Sequence, residues 1–535
     1  MTYCVDLAST KAFLASLDGH APGDALRELC SELGALAEGE SVAAALARLE
    51  ILEELRVPSW VRLATFERDH LARVLPFTAE ETVRWRLYIE AWSLLLAAYL
   101  RLLADADQGD AAMAGLTPLL VQRVVRQAGQ VAVASYRAYQ GVAPDLWLLA
   151  HEHLRRAEKA GWADLQVIDT TLTLDGLGTV QEAWLHLVLL DFSDPYAMAA
   201  PQLALVNRWL ERLVRHVPLS LEPLAHGTNG FLVARLDAPA GLRLMPAAPD
   251  PALPDAGSPR FVGLSALREH VRRLVAKLQL DISPEDLYLG ESCSREDALV
   301  LLERLANRWR ASSKRTLPRR PVNAPARMAL GLTAIHRLLG QRALQSAWGE
   351  VPSAVGQPMP ARALGSALAP DEEALVESQD VTSPLFSLLE TQIVDQSPNG
   401  LGLLQTGEGA GRLRCHQLVA LLTDRELLLG SVRWLSMDPG LGLRFGFKVI
   451  TGVARPVRLL TSSTDEGSYE RALLLPEMLA LGEPASLITP PGVYFSNRLL
   501  RLWSDPASAQ AQWIELEERL QMGSDFERVR FKPVA

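Results

Sequence analysis

Three short apolar runs decide the fold: Leu418-Val-Ala-Leu-Leu422, Leu427-Leu-Leu-Gly-Ser-Val-Arg-Trp-Leu435 and Leu443-Arg-Phe-Gly-Phe-Lys-Val-Ile450. Each is of strand length, and polar or glycine-bearing turns separate them, so successive antiparallel strands are expected. The same texture begins near Ile393. It continues through Val457 to Thr461, Arg471 to Leu475, Ser486 to Thr489 and Val529 to Phe531. Repeated short strands broken by Gly, Pro, Asp and Ser predict a compact antiparallel β-barrel or sandwich.

Upstream the period changes from two to nearly four. Leu146, Leu149, Ala150, Leu154 and Ala157 share one helical face while Glu152, Arg155, Arg156 and Lys159 lie off it, with Gly161 as the stop. Leu203, Val206, Leu210, Leu213 and Val217 repeat the pattern before Pro218. Residues 25–36, 79–104, 119–139 and 180–190 read likewise. Helical hairpins or a bundle are equally compatible with these faces. Phe231 to Leu236 is strand-like, and six prolines between Pro239 and Pro259 mark a loop. Helices are expected over 264–278 and 295–309.

The fold class is therefore α+β and multidomain. A helical domain occupies 1–217 and a mixed α/β connecting region with a Pro-rich loop occupies 218–307. A β-barrel follows over 308–460 with a helical insertion at about 334–390, and a β-rich extension fills 461–535.

The chain has 535 residues, a net charge of −10, 49% hydrophobic residues and a mean hydropathy of +0.08. That composition excludes a disordered or fibrous chain. An acidic pI of about 5.6 argues against coating of nucleic acid, so no nucleic acid polymer is expected as a partner. The most apolar stretch, Ala91 to Leu100, ends at Arg101, too soon for a membrane span, and the N-terminus lacks the features of a signal peptide. No transmembrane segment and a cytoplasmic location are expected. The four cysteines form no C-x-x-C pair, and His151-Glu-His153 directs its rings to different helix faces. No metal, cofactor or catalytic constellation is expected, and the protein reads as a non-enzyme. Gly407-Glu-Gly409-Ala-Gly411 lacks the G-K-[ST] ending of a phosphate loop and reads as a hairpin turn.

One stretch departs from the acidic background. Arg308, Arg310, Lys314, Arg315, Arg319, Arg320 and Arg327 form seven cations with no carboxylate among them. Pro318, Pro321 and Pro325 prevent a continuous helix there, so the guanidinium forks lie on an extended or turning segment suited to anions.

Arg315-Thr-Leu-Pro-Arg319 fits R-x-x-x-R, and Asp395-Gln-Ser397-Pro-Asn-Gly400 fits D-x-S-x-x-G. In that order, ahead of strands containing Val432-Arg-Trp434 and Arg444-Phe-Gly446, they resemble the PilZ domain, a receptor for cyclic di-GMP. The resemblance covers roughly residues 310–460. It implies a ligand site of Arg315 and Arg319, with Arg320 as a neighbour, facing Asp395, Ser397 and Gly400. Arginine forks match the O6/N7 edge of guanine and can stack on its plane, and a carboxylate can accept from N1 and N2. The implied function is a cytoplasmic cyclic di-GMP receptor acting in motility, adhesion, biofilm or exopolysaccharide control. An unidentified protein partner is expected to bind through the helical half. A degenerate barrel serving as a nucleotide-independent scaffold is the alternative. The separation between the two motifs exceeds that of a typical PilZ domain.

Overall fold

The computed structural model describes the chain except residues 1–3, 40–43, 173–174, 225–230, 246–258, 292, 311–317, 348–387, 406–410, 425, 439, 461–468, 505–510 and 535. It forms two compact units, Met1–Thr316 and Leu317–Ala535.

The first unit contains, among the described residues, α1 (Leu7–Leu17), α2 (Pro22–Glu38), α3 (Ala45–His70), α4 (Ala79–Asp107), α5 (Thr117–Arg137), α6 (Pro144–Ala160), α7 (Val180–Phe192), α8 (Ala200–Leu213), α9 (Ser265–Gln279) and α10 (Arg295–Arg308). Local chemistry fixes their ends. Thr78 with Glu81 and Thr179 with Glu182 form reciprocal caps at the starts of α4 and α7. Gly39 and Gly161 close α2 and α6 with φ of 74°, a left-handed turn that favours glycine.

The central helix, α5, is buried almost all round from Leu120 to Tyr136, packing on α4, α6 and α7. A one-faced solenoid helix would keep a solvated side, so the arrangement is a bundle. α4 is long and apolar enough to cross a membrane, but Trp85, Tyr88, Trp92, Leu95, Tyr99 and Leu102 spend its apolar face on the domain core.

Two short strands, β1 (Val167–Ile168) and β2 (Leu177–Gly178), pair beside α5. Near them sits a buried polar cluster. Asp169, fully buried, accepts from Arg56 Nη1 at 2.6 Å and from Gln122 Nε2 at 3.1 Å. Arg123 donates to both oxygens of Glu53 at 2.8 and 2.9 Å. Burial pushes the Asp169 carboxyl upward, but the charges of Arg56, Arg123 and Arg126 outweigh it and hold the group well below the usual carboxylate range.

Residues 218–307 add a small sheet and two helices to the first unit. The four-stranded sheet β3 (Leu219–Ser220), β6 (Pro259–Val262), β4 (Phe231–Arg235) and β5 (Arg243–Met245) shares one continuous core with the helices. Leu232, Val262, Leu267, Leu302 and Trp309 all belong to that core.

The second unit holds two closed six-stranded antiparallel barrels. The first contains β7 (Arg320–Leu330), β8 (Leu389–Ser397), β9 (Gly400–Gln405), β10 (Leu418–Leu422), β11 (Leu427–Asp438) and β12 (Gly442–Val449), in the order β10-β11-β12-β9-β8-β7. The second contains β13 (Arg455–Leu460), β14 (Tyr469–Leu475), β15 (Ser486–Thr489), β16 (Leu499–Trp503), β17 (Gln512–Met522) and β18 (Glu527–Pro533), in the order β13-β14-β15-β18-β17-β16. The expected extension is thus a complete barrel whose first strand starts at Arg455, ahead of 461.

Between β7 and β8 the chain forms α11 (Gly331–Ala347), which packs on β7 and β10 of one barrel and on β13 and β14 of the other. The remainder of the expected insertion, 348–387, lies outside the described residues. The glycine-rich stretch expected as a hairpin turn falls mainly on 406–410, outside the described residues, and the flanking β9 and β10 are not paired with one another.

Candidate functional site

The long insertion leaves the strands on either side of it in contact. β7 and β8 pair antiparallel, with Pro321 opposite Asp395 and Arg320 opposite Gln396. Prolines are tolerated in β7 because its first half pairs with β8 alone, while β10 takes up only Arg327 to Leu330. This brings Arg319, at the entrance to β7, onto Asp395 across 76 positions. Arg319 Nη1 donates to Asp395 Oδ1 at 2.7 Å and to Oδ2 at 3.1 Å, with both side chains about three-quarters buried.

The tight β8–β9 turn explains the other two motif residues. Ser397 Oγ donates to the carbonyl of Gly400 at 3.0 Å and so closes the turn. Gly400 crosses β12 closely: a Cβ there would stand 2.5 Å from the Phe447 carbonyl oxygen. Arg320 is exposed at the start of β7. Arg315 lies outside the described residues, so the pairing of the two arginines of R-x-x-x-R is not described.

Strand register extends the site beyond the motifs. Pro321, Asp395, Gly402, Gly446 and Trp434 form one row across β7, β8, β9, β12 and β11. In the adjacent row Leu401, Phe447 and Val432 are buried inward, which turns this row outward. Both glycines are needed by their neighbours. A Cβ on Gly402 would meet the Asp395 carboxylate at 2.5 Å, and one on Gly446 would strike the Trp434 indole. Over this glycine pair the outer face therefore carries a carboxylate with its guanidinium on one side and a half-buried indole on the other. Sequence reasoning missed Gly402, Gly446 and the role of Trp434. Isolated glycines inside strands were the available signal.

The remaining candidates have structural places. Arg308, the first cation of the basic run, donates from Nε to the Phe192 carbonyl at 2.9 Å and lies over the Phe192 ring within the helical unit. His151 accepts from Trp184 Nε1 at 3.0 Å, and His153 Nδ1 meets the Leu149 carbonyl at 2.8 Å. Burial pushes the pKa of both histidines down. Among the described residues no group of three or more His, Cys, Asp or Glu could hold a metal ion.

A helical domain followed by a PilZ-like barrel and a second closed barrel is the class that fold and site define. Comparison with known proteins refines it. Residues 8–224 match the family model described as the N-terminal domain of the cyclic-di-GMP receptor FimW, and residues 456–534 match that of the FimW C-terminal β-barrel domain. The chain is thus similar to this family at both its N-terminal and its C-terminal end. The chain is also 24% identical over 522 residues to the cyclic-di-GMP receptor FimW of Pseudomonas aeruginosa, covering 90% of this chain and 83% of that protein. No solved structure matches.

Proposed function

We propose that this protein is a non-enzymatic cyclic di-GMP receptor whose dinucleotide site is the outer face of the first barrel. The observation that carries this reading is the convergence of Arg319 on Asp395, beside the turn closed by Ser397 and Gly400, despite the long insertion between the motifs. The receptor function of the relative supports it. Arg315, Arg319 and Arg320 supply forks for phosphate and guanine edges, and Asp395 accepts from a guanine N1/N2 edge. Nucleotide entry shares or opens the Arg319–Asp395 pair, so the two side chains exchange one ion pair for contacts with the ligand. The output passes to a protein partner, with the helical domain as the proposed contact, in cytoplasmic control of motility, adhesion, biofilm or exopolysaccharide.

Titration calorimetry with cyclic di-GMP tests the reading. Saturable binding is expected, and no heat at tens of micromolar nucleotide favours the scaffold instead.

Trp434 provides a second, independent check. Its indole lies over Gly446 in the row that holds Asp395 and offers a planar surface for a base, and base–aromatic stacking contributes about 1–3 kcal/mol. Trp434→Ala is expected to weaken cyclic di-GMP binding by about tenfold, and Trp434→Phe by much less. Equal affinity in all three proteins removes the indole from the site.

A further inference from the structure

The second barrel carries a surface that this receptor site leaves unused. Val457, Leu459, Leu500, Leu502 and Ile514 point into its core and are buried. Alternation along β13, β16 and β17 therefore turns Arg458, Arg501, Trp503 and Trp513 outward. Pairing sets them in register. Arg501 stands opposite Trp513, while Arg458 stands between Trp503 and Arg471. The guanidinium carbon of Arg501 is 5.9 Å from the ring centres of both Trp503 and Trp513, and that of Arg458 is 4.5 Å from the centre of Tyr469.

Charge divides the outer face of this barrel in two. Along β17 and β18, Arg530 pairs with Glu517 and Glu518, and Lys532 pairs with Glu515. Among the described residues, neither Arg501 nor Arg471 has a carboxylate within ion-pair distance. Their partners are aromatic rings or solvent, and Trp513 remains 47% exposed.

Flat π faces alternating with uncompensated guanidinium groups match a ligand that offers planar rings and negative charges in alternation. A protein hot spot also uses Trp, Tyr and Arg, but around an apolar centre that a partner covers. Here the central aliphatic residue, Leu460, is already buried. In the closed six-stranded barrel β17 and β14 are three strands apart, so the path from Trp513 to Tyr469 follows the curved wall over more than the length of one nucleotide. At the far end Tyr469 and Arg471, with Thr333 and Asp525, line a cavity of about 350 Å³.

We propose that a short stretch of single-stranded nucleic acid binds along the curved β14–β13–β16–β17 wall of the second barrel. Bases stack on Trp513, Trp503 and Tyr469, and phosphates meet Arg501 and Arg471. This departs from the expectation set by the acidic total. The net charge of −10 confines the contact to this strip and makes it strongly salt-dependent.

Fluorescence anisotropy with the full-length chain and a labelled oligouridylate of about eight nucleotides tests the proposal. Saturable binding is expected at low salt, weakening steeply between about 50 and 200 mM. Trp513→Ala and Arg501→Ala are each expected to weaken it by roughly tenfold, while Lys532→Ala and Asp395→Ala leave it unchanged. Both altered side chains lie on the outer face, and circular dichroism confirms that each variant is folded. No anisotropy change at tens of micromolar protein overturns the proposal. So does an equal loss in Lys532→Ala, or displacement of the oligonucleotide by cyclic di-GMP, which would place it on the first barrel.

Discussion

Asp395→Ala is expected to weaken cyclic di-GMP binding by ten- to a hundredfold in calorimetry while leaving the fold intact. A lost charge-assisted hydrogen bond costs about 1.5–3 kcal/mol, which sets that range. Arg319→Ala should lose a similar amount. The two effects are not expected to add, because Arg319 and Asp395 are already each other's partners at 2.7 Å. Removing either one frees the other before the ligand arrives, so the double variant should bind better than the sum of the single losses implies. Arg319→Lys should also impair binding, since an ammonium cannot reproduce the planar fork. Arg320→Ala should matter less. Arg327, exposed on the same strand about 20 Å further along, is the control. If Arg327→Ala loses as much affinity as Asp395→Ala, the site is misassigned.

The largest effect on stability is expected in the helical unit, at Asp169→Asn. This substitution keeps the shape but leaves Arg56 and Arg123 buried with Glu53 as their remaining anion. Breaking a buried ion pair from one side costs about 3–5 kcal/mol. A fall in melting temperature on the order of 10 °C is expected by circular dichroism. Asp175→Asn, which removes the exposed partner of Arg215, should leave the melt essentially where it was.

The sign of the pH dependence follows from the same contacts. The folded Asp169 carboxyl titrates below its unfolded value, so its contribution is complete above about pH 4 and drains away as pH falls below that. Asp169→Asn should flatten the acid limb of stability over this window. An unchanged limb would show that other carboxylates set it.

Legibility in the sequence followed how one-sided each element is. α6 and α8 bury one stripe and expose the rest, so their apolar period was plain. α3 was hidden because its buried side includes Arg56 and Ser59 and its interior holds Pro58. β10 and β15 are runs of mostly buried residues, β12 buries half of its residues, and all three are bounded by turns and were read nearly to the residue. β17 was missed because Glu515, Glu517, Glu518 and Arg519 mask its inward Ile514 and Leu516, and two bulges break its alternation. β7 was legible only as an extended or turning segment from which prolines exclude a helix, and pairing on one side alone accommodates those prolines in a strand.

The site divides in the same way. Asp395, Ser397 and Gly400 lie within one short stretch and were legible as a motif. The row through Gly402, Gly446 and Trp434 exists only once four strands are in register, which spacing along the chain does not reveal.

The helix α11 has a thermodynamic consequence for both barrels. Leu332 and Ile335 share one apolar cluster with Leu418 and Leu429 on one side and with Leu473, Ile488 and Phe526 on the other. His336 Nε2 meets the Val457 carbonyl, and Asp525 accepts from the Leu418 amide. Neither barrel can melt without exposing the wall it shares with its neighbour, so the pair unfolds as one cooperative block. Any ligand held by the first barrel then raises the melting point of the second by mass action alone. Energetic communication between the two requires no moving part.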